Sequence, residues 1–225
     1  MRVVLATANP GKQREFQALL APLGVELLLQ SALGVVAPEE TGTTFEANAL
    51  LKARHAARCT GLPALADDSG LEVDALGGRP GVRSARYAGE GASDADNNAL
   101  LLAELARVPP ERRGARYRCV LAFVRTADDP VPLTVEGSWE GRIAAAARGS
   151  GGFGYDPLFI PAALACTAAE LAPGEKNRLS HRGQALRALA ARLAAMGAAG
   201  PGAGASAAAG AAADGAAADG AGTRP

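Results

Sequence analysis

Pro63-Ala64-Leu65-Ala66-Asp67-Asp68-Ser69-Gly70 reads as a short buried strand that runs straight into two carboxylates. Upstream, Phe45, Ala49, Leu50, Ala53, Ala56 and Ala57 recur at helical spacing between Thr43 and Cys59, and Thr60-Gly61 stops that helix. Further back, the apolar run Arg2 to Thr7 ends at Ala8-Asn9-Pro10-Gly11. Phe16, Leu19, Leu20 and Leu23 then return to a helical period, giving strand, turn and helix. Downstream, Gly77-Gly78-Arg79-Pro80-Gly81 is a loop, and Asp94 to Arg107 is a helix with Leu100, Leu101 and Leu105 inward. Arg116 to Arg125 and Val131 to Glu140 alternate as two strands of an antiparallel hairpin turned through Asp128-Asp129-Pro130. Leu179, Leu186, Leu189, Leu193 and Met196 mark one face of a C-terminal helix. Crossover units beside long antiparallel strands predict an α/β fold whose sheet is only partly parallel. The acidic pair is expected at the carboxyl end of its strand, the edge of an open α/β sheet where ligands bind.

Composition bounds the function. Of 225 residues, 23 are Lys or Arg and 23 are Asp or Glu, so the chain is formally neutral and lacks the basic footprint of a nucleic-acid binder. Alanine supplies about half of its hydrophobic residues, and over residues 197–225 Ala and Gly fill 22 of 29 positions. Such a tail cannot bury a core. The expected division is a folded domain over 1–196 and a disordered Ala/Gly-rich tail over 197–225. No stretch approaches a membrane span and no signal peptide precedes Val3, so a cytoplasmic protein without membrane partners is expected. Cys59, Cys119 and Cys166 form no CxxC pair, and His55 and His181 are the two histidines. Any metal is therefore held by carboxylates, which selects a hard cation such as magnesium.

Four segments carry chemistry. Thr7-Ala8-Asn9-Pro10-Gly11-Lys12 places a lysine and free backbone N–H groups at a helix start, a phosphate-binding arrangement, although the Walker spacing is absent. Residues 39 to 74 hold seven acids, among them Glu39, Glu40, Glu46, Asp67 and Asp68. Acids near a helix N-terminus are favoured by its dipole, but adjacent aspartates pointing into one cleft repel each other unless a cation or shared proton intervenes. Gly149 to Asp156 combines a glycine-rich backbone with the flat faces of Phe153 and Tyr155. Glu175 to Arg182 is basic, with Ser180 capping a helix whose first turn carries His181 and Arg182, a placement that asks for an anion. Together these describe a nucleoside triphosphate site with magnesium.

Thr7-Ala8-Asn9-Pro10-Gly11-Lys12, Glu40-Thr41-Gly42-Thr43-Thr44-Phe45-Glu46-Ala47-Asn48-Ala49, Leu51-Lys52-Ala53, Ala66-Asp67-Asp68-Ser69-Gly70-Leu71, Leu76 to Gly81, Ser84-Ala85-Arg86-Tyr87, Gly151 to Pro157 and Ser180 to Leu186 closely resemble the inosine/xanthosine triphosphate pyrophosphatases, also called the Ham1 or RdgB family. The resemblance runs in order from residue 2 to about 195. Ala8 departs from it, since the family usually has Gly there. The resemblance implies an elongated α/β fold with a mixed central sheet, two lobes around a cleft, and a homodimer. It implies hydrolysis of (deoxy)inosine and xanthosine triphosphates to monophosphate and diphosphate with magnesium. On the matching positions, Glu40 and Asp68 hold the metal and Asp68 accepts the proton of the attacking water. Thr7, Ala8, Asn9, Pro10, Gly11, Lys12 and Ser69 contact the phosphates. Phe153 stacks on the purine, Gly154, Tyr155 and Asp156 shape its pocket, and Lys176, His181 and Arg182 bind phosphate or the 6-oxo group. A Maf-like nucleotide pyrophosphatase and a non-hydrolytic nucleotide-binding module are the alternatives.

Overall fold

The computed structural model describes residues 1–21 and 24–198; Leu23 and the tail beyond residue 198 lie outside the described residues. The strands are β1 (Arg2–Leu5), β2 (Glu26–Leu29), β3 (Ala64–Val73), β4 (Gly114–Val124), β5 (Leu133–Ile143) and β6 (Phe159–Pro161). The helices are α1 (Pro10–Leu20), α2 (Phe45–Thr60), α3 (Asp94–Glu104), α4 (Pro173–Leu179) and α5 (His181–Ala198). The six strands form one sheet in the order β2-β1-β3-β4-β5-β6. The β1 strand runs parallel to β2 and β3, and every later neighbour is antiparallel. The expected mixed α/β sheet is therefore present, and β3 is the strand at which parallel pairing gives way to antiparallel.

Local sequence explains the elements. Thr44 caps α2 by accepting from the Ala47 N–H, Gly61 ends it in the left-handed conformation, and Glu46 and Arg58 complement the helix dipole at its two ends. Pro10 starts α1 behind the Asn9 cap. The expected C-terminal helix divides in two at Ser180, which ends α4 and whose hydroxyl accepts from the Gly183 N–H at the start of α5. Leu179 accordingly belongs to α4.

Successive strand residues face opposite sides of a sheet, and the two sides are covered differently. Val3, Leu5, Leu65, Leu121 and Phe123 pack against Phe16 and Leu20 of α1 and Leu186 and Leu189 of α5. Val4, Ala64, Ala66, Val120 and Ala122 meet the alanine face of α2, made by Ala49, Ala53, Ala56 and Ala57. Much of the alanine outside the tail is thus structural, since small residues on both sides seat α2 close to the sheet. A third cluster covers the far ends of the long strands, where Leu71, Tyr117, Trp139 and Phe159 meet Leu101 and Leu105. The first two clusters, on either face of β1 and β3, make one packed region and the third makes the other; these are the two lobes.

The strand reading around the acids needs correction. β3 does not stop at Ala66 but continues to Val73, fully paired with β4. Asp67 and Asp68 lie in the middle of an interior strand. The strand that does end here is β1, which pairs with β3 only through Val4↔Ala64 and Leu5↔Leu65. Beyond it no strand pairs with that edge of β3 until the Leu71 and Val73 N–H groups donate to Ser84 Oγ and the Arg79 carbonyl, and the gap left between lies between the lobes.

The seat of α5 on β5 is narrow. A Cβ on the buried Gly137 would collide with the His181 carbonyl and lie 2.9 Å from the Ala185 nitrogen. Gly137→Val is expected to destabilise the fold by about 1–3 kcal/mol or more, lowering Tm by roughly 2–4 °C for each kcal/mol. Thermal unfolding checks this, and an unchanged Tm would contradict the packing.

Candidate active site

A cavity of about 280 Å³ occupies the gap beyond β1. Its wall includes Thr7, Ala8, Asn9, Lys12, Glu40, Ser69, Phe153, Tyr155, Asp156, Lys176, His181 and Arg182, so residues far apart in sequence converge from both lobes. Pro10, Gly11 and Gly154 are not on this wall; Pro10 and Gly11 start α1, and a Cβ on Gly11 would press on the Phe153 ring at 2.5 Å. The Gly154 N–H donates to Asp94 Oδ2 (2.6 Å) and Tyr155 Oη to the Ser84 carbonyl (2.8 Å), which tether this loop to the second lobe. Asp68 is not on the wall; it is 5% exposed and bonded to Lys52, which is.

The two aspartates do not share a cleft face, contrary to the expectation from their adjacency. One residue apart on a strand, they point to opposite sides of the sheet. Asp67 faces α1 and α5, where Oδ2 lies 2.9 Å from Lys12 Nζ and 3.4 Å from Arg182 Nη2 and accepts from Ser69 Oγ (3.0 Å). Asp68 faces α2, accepting from Lys52 Nζ at Oδ1 (2.8 Å) and from Asn48 Nδ2 at Oδ2 (3.2 Å). The carboxylate that does share a partner with Asp68 is Glu40, whose Oε1 lies 2.7 Å from the same Lys52 Nζ. Arg86 holds the other oxygen of Glu40 at 3.0 Å.

A second ionic layer lies under the aromatic loop. Lys176 Nζ donates to Asp156 Oδ2 (2.7 Å) and Glu15 Oε1 (2.9 Å), and Arg182 pairs with Glu15 Oε2. Asp156 also accepts from the Phe153 N–H at 2.8 Å, so it fixes the loop as well as the lysine. Lys176 and Arg182 lie 4.7 and 5.6 Å from the centre of the Phe153 ring. His181 stacks on Tyr117 with ring centroids 4.7 Å apart.

Burial sets the protonation states. For Asp67, burial alone would raise the carboxyl, but Lys12, Arg182 and Lys52 outweigh it and hold the group well below the usual carboxylate range. For Asp68 burial prevails over Lys52 and, with the Glu40 charge, moves the carboxyl upward, the direction that makes a better proton acceptor. Burial and the neighbouring Arg182 and Lys176 push His181 well below its ordinary value, so it is a neutral imidazole.

The donor set fits a divalent cation. Glu40 and Asp68 converge on one cationic position, which Lys52 takes here, and both present hard oxygen ligands. Among the described residues no three His, Cys, Asp or Glu side chains form a metal cage.

Glu15, Asn48, Lys52, Arg86 and Tyr117 are absent from the site expected from sequence. Lys52 had a visible signal, since it interrupts the buried face Ala49, Ala53 and Ala56 with a charge that must find a partner. Glu15 is held by Lys176 and Arg182, both more than 160 positions away in the chain, which no local pattern reveals.

Asp67→Asn is expected to lower stability at pH 7 by about 3–5 kcal/mol, the cost of breaking a buried ion pair. Because the folded carboxyl titrates below the unfolded one, this stabilisation is complete above the unfolded value near 3.9 and is lost as pH falls below it. The gap in Tm between variant and wild type should therefore narrow below about pH 4. A gap independent of pH would contradict the ion-pair account.

The Ham1 family profile matches residues 3–192. The dITP/XTP pyrophosphatase of Methylococcus capsulatus is 61% identical over 192 residues, covering 85% of this chain and 96% of the relative. That of Yersinia pseudotuberculosis is 58% identical over 188 residues, covering 84% and 95%. A HAM1 protein of Coxiella burnetii superposes with a TM-score of 0.81 at 49% identity, over 87% of this chain and 99% of the other. The fold and the ordered motifs agree with this match along nearly the whole described chain, and the protein belongs to the Ham1 family.

Proposed function

We propose that the protein hydrolyses non-standard purine nucleoside triphosphates, those of inosine, deoxyinosine and xanthosine, to the monophosphate and diphosphate. It would thereby remove deaminated purines from the nucleotide pool. The observation that carries this reading is the convergence of Lys12, Lys52, Lys176 and Arg182 on one cleft, with Glu40 on its wall and the buried Asp68 bonded to Lys52. The relatives named dITP/XTP pyrophosphatase support it.

Lys12 is the most exposed of the four cations at 15% of its side chain, and with Thr7, Asn9 and the start of α1 it offers phosphate oxygens a first contact. Lys176 and Arg182, 8% and 3% exposed, act as fixed charges beneath the Phe153 loop. Ser69 adds a hydroxyl. Phe153 stacks on the purine, and neutral His181 or Arg182 donates to its 6-oxo oxygen. Donors built for a carbonyl are left unpaired against an amino group, which discriminates against adenine by as much as ~10⁴-fold or more.

Glu40 and Asp68 would hold magnesium. When bound, the ion polarises the phosphate oxygens and offsets charge on the leaving diphosphate. Asp68 takes the proton of a water whose oxygen attacks the α-phosphorus; the bond from that phosphorus to the bridging oxygen breaks, and diphosphate leaves. The working enzyme is read as a homodimer. No described helix is long and apolar enough to cross a membrane.

Asp68→Asn should reduce kcat by about 10²- to 10⁴-fold. The deciding assay incubates inosine, xanthosine, adenosine and guanosine triphosphates with magnesium and resolves the products. Monophosphate with diphosphate from inosine triphosphate is expected, and activity should disappear with a chelator. Orthophosphate as the sole product, or equal turnover of adenosine triphosphate, would overturn the reading.

A further inference from the structure

Asn48 has no part in the phosphate, base or proton chemistry described above, yet it is fully buried beside the carboxylate on which that chemistry turns. It lies one turn before Lys52 on α2, and helix positions four apart share a face. Lys52 Nζ donates to Asp68 Oδ1 at 2.8 Å, and Asn48 Nδ2 donates to Asp68 Oδ2 at 3.2 Å. The pair therefore holds both oxygens of one carboxylate. Each member also reaches the segment before α2: Lys52 bonds Glu40 at 2.7 Å, and Asn48 Oδ1 accepts the Gly42 N–H at 2.8 Å.

The orientation of that amide is dictated. A backbone N–H demands an acceptor, so Oδ1 must face Gly42 and Nδ2 must face Asp68. Position 42 is matched to it, because a Cβ there would lie 2.5 Å from Asn48 Oδ1 and 2.9 Å from the Ala47 Cβ. Gly42 is needed for space.

We propose that Asn48 is a positioning residue, which fixes the rotation of the Asp68 carboxylate and ties it in register with the segment that carries Glu40. The last torsion of an aspartate is broad, and one hydrogen bond from Lys52 leaves the carboxylate free to swing about it. A second bond to the other oxygen sets its plane. The inference rests on Asp68 being the proton acceptor of the proposed reaction.

Steady-state kinetics on inosine triphosphate with magnesium test it, using Asn48→Leu, Asp68→Asn and the double variant, each checked for a cooperative thermal transition. Misplacement of a reacting group costs roughly 100-fold, so Asn48→Leu should lose about that in kcat while KM stays within about threefold. The double variant should turn over no more slowly than Asp68→Asn alone, because residues that act through one another are not additive. A folded Asn48→Leu with wild-type kcat, a loss confined to KM, or losses that multiply in the double variant would each overturn the proposal. If Asn48→Leu does not fold, Gly42→Ala replaces it. That variant displaces the amide without removing it; the same loss of kcat is expected, and wild-type kcat overturns the proposal. Wild-type turnover by Asp68→Asn sinks the proton-acceptor reading and this inference with it. An inactive Asp68→Asn beside an active Asn48→Leu sinks the inference alone.

Discussion

Two carboxylates sit side by side in the middle of an interior strand, and the architecture around β3 follows from the need to neutralise both. Uncompensated burial of either charge is prohibitively costly, so each must meet a cation on its own side of the sheet. The pleat sends Asp67 toward α1 and α5 and Asp68 toward α2. Three helices remote in sequence therefore each deliver a basic side chain to one short stretch of strand. Where β1 ends, no strand continues in its place beside β3, and the cations that pair with the two aspartates form part of the wall of a cavity.

Each cation of the cleft already has a carboxylate partner: Lys12 with Asp67, Lys52 with Asp68 and Glu40, Lys176 with Asp156 and Glu15, Arg182 with Glu15 and Asp67. Buried ion networks of this kind are a weak source of net stability, since desolvation cancels much of the attraction. They are suited to another purpose. Charges held in place by the protein need little reorganisation when a polyanion arrives, which is the condition under which electrostatic stabilisation is most effective. The zero net charge of the chain hides this arrangement, because an acidic segment and a basic segment far apart in sequence meet across one cleft.

Much of the fold was legible beforehand. The α2 helix, the β4–β5 hairpin and the first strand and helix all announce themselves by period and caps, and the structure has them within a few residues of their expected ends. The glycine-rich loop, the lysine at the α1 start and the basic run before α5 were visible as anion-binding candidates, and all reach the same cavity. The acidic pair is the exception. Adjacency in sequence suggested one shared cleft, whereas strand geometry separates the two groups; the continuation of β3 to Val73 was hidden because Asp, Ser and Gly are poor strand formers that here are held by pairing with β4. Glu15 and Asn48 were not singled out, since each looks locally like an ordinary helix residue.

Residue order alone determined the longer elements, the mixed character of the sheet, the family and most of the charged groups from which a site is built, but not the short edge strands β2 and β6 or the division of the C-terminal helix. These follow from period, capping and turn chemistry, which act over a few residues. Only tertiary structure decided which charge meets which. The pairing of Glu40 with Asp68 through Lys52, the separation of Asp67 from Asp68, and the fixing of Lys176 and Arg182 by Glu15 depend on strand pairing and on where each helix crosses the sheet. Such contacts are set by burial, which forces every charge in the interior to find a partner wherever in the chain it lies.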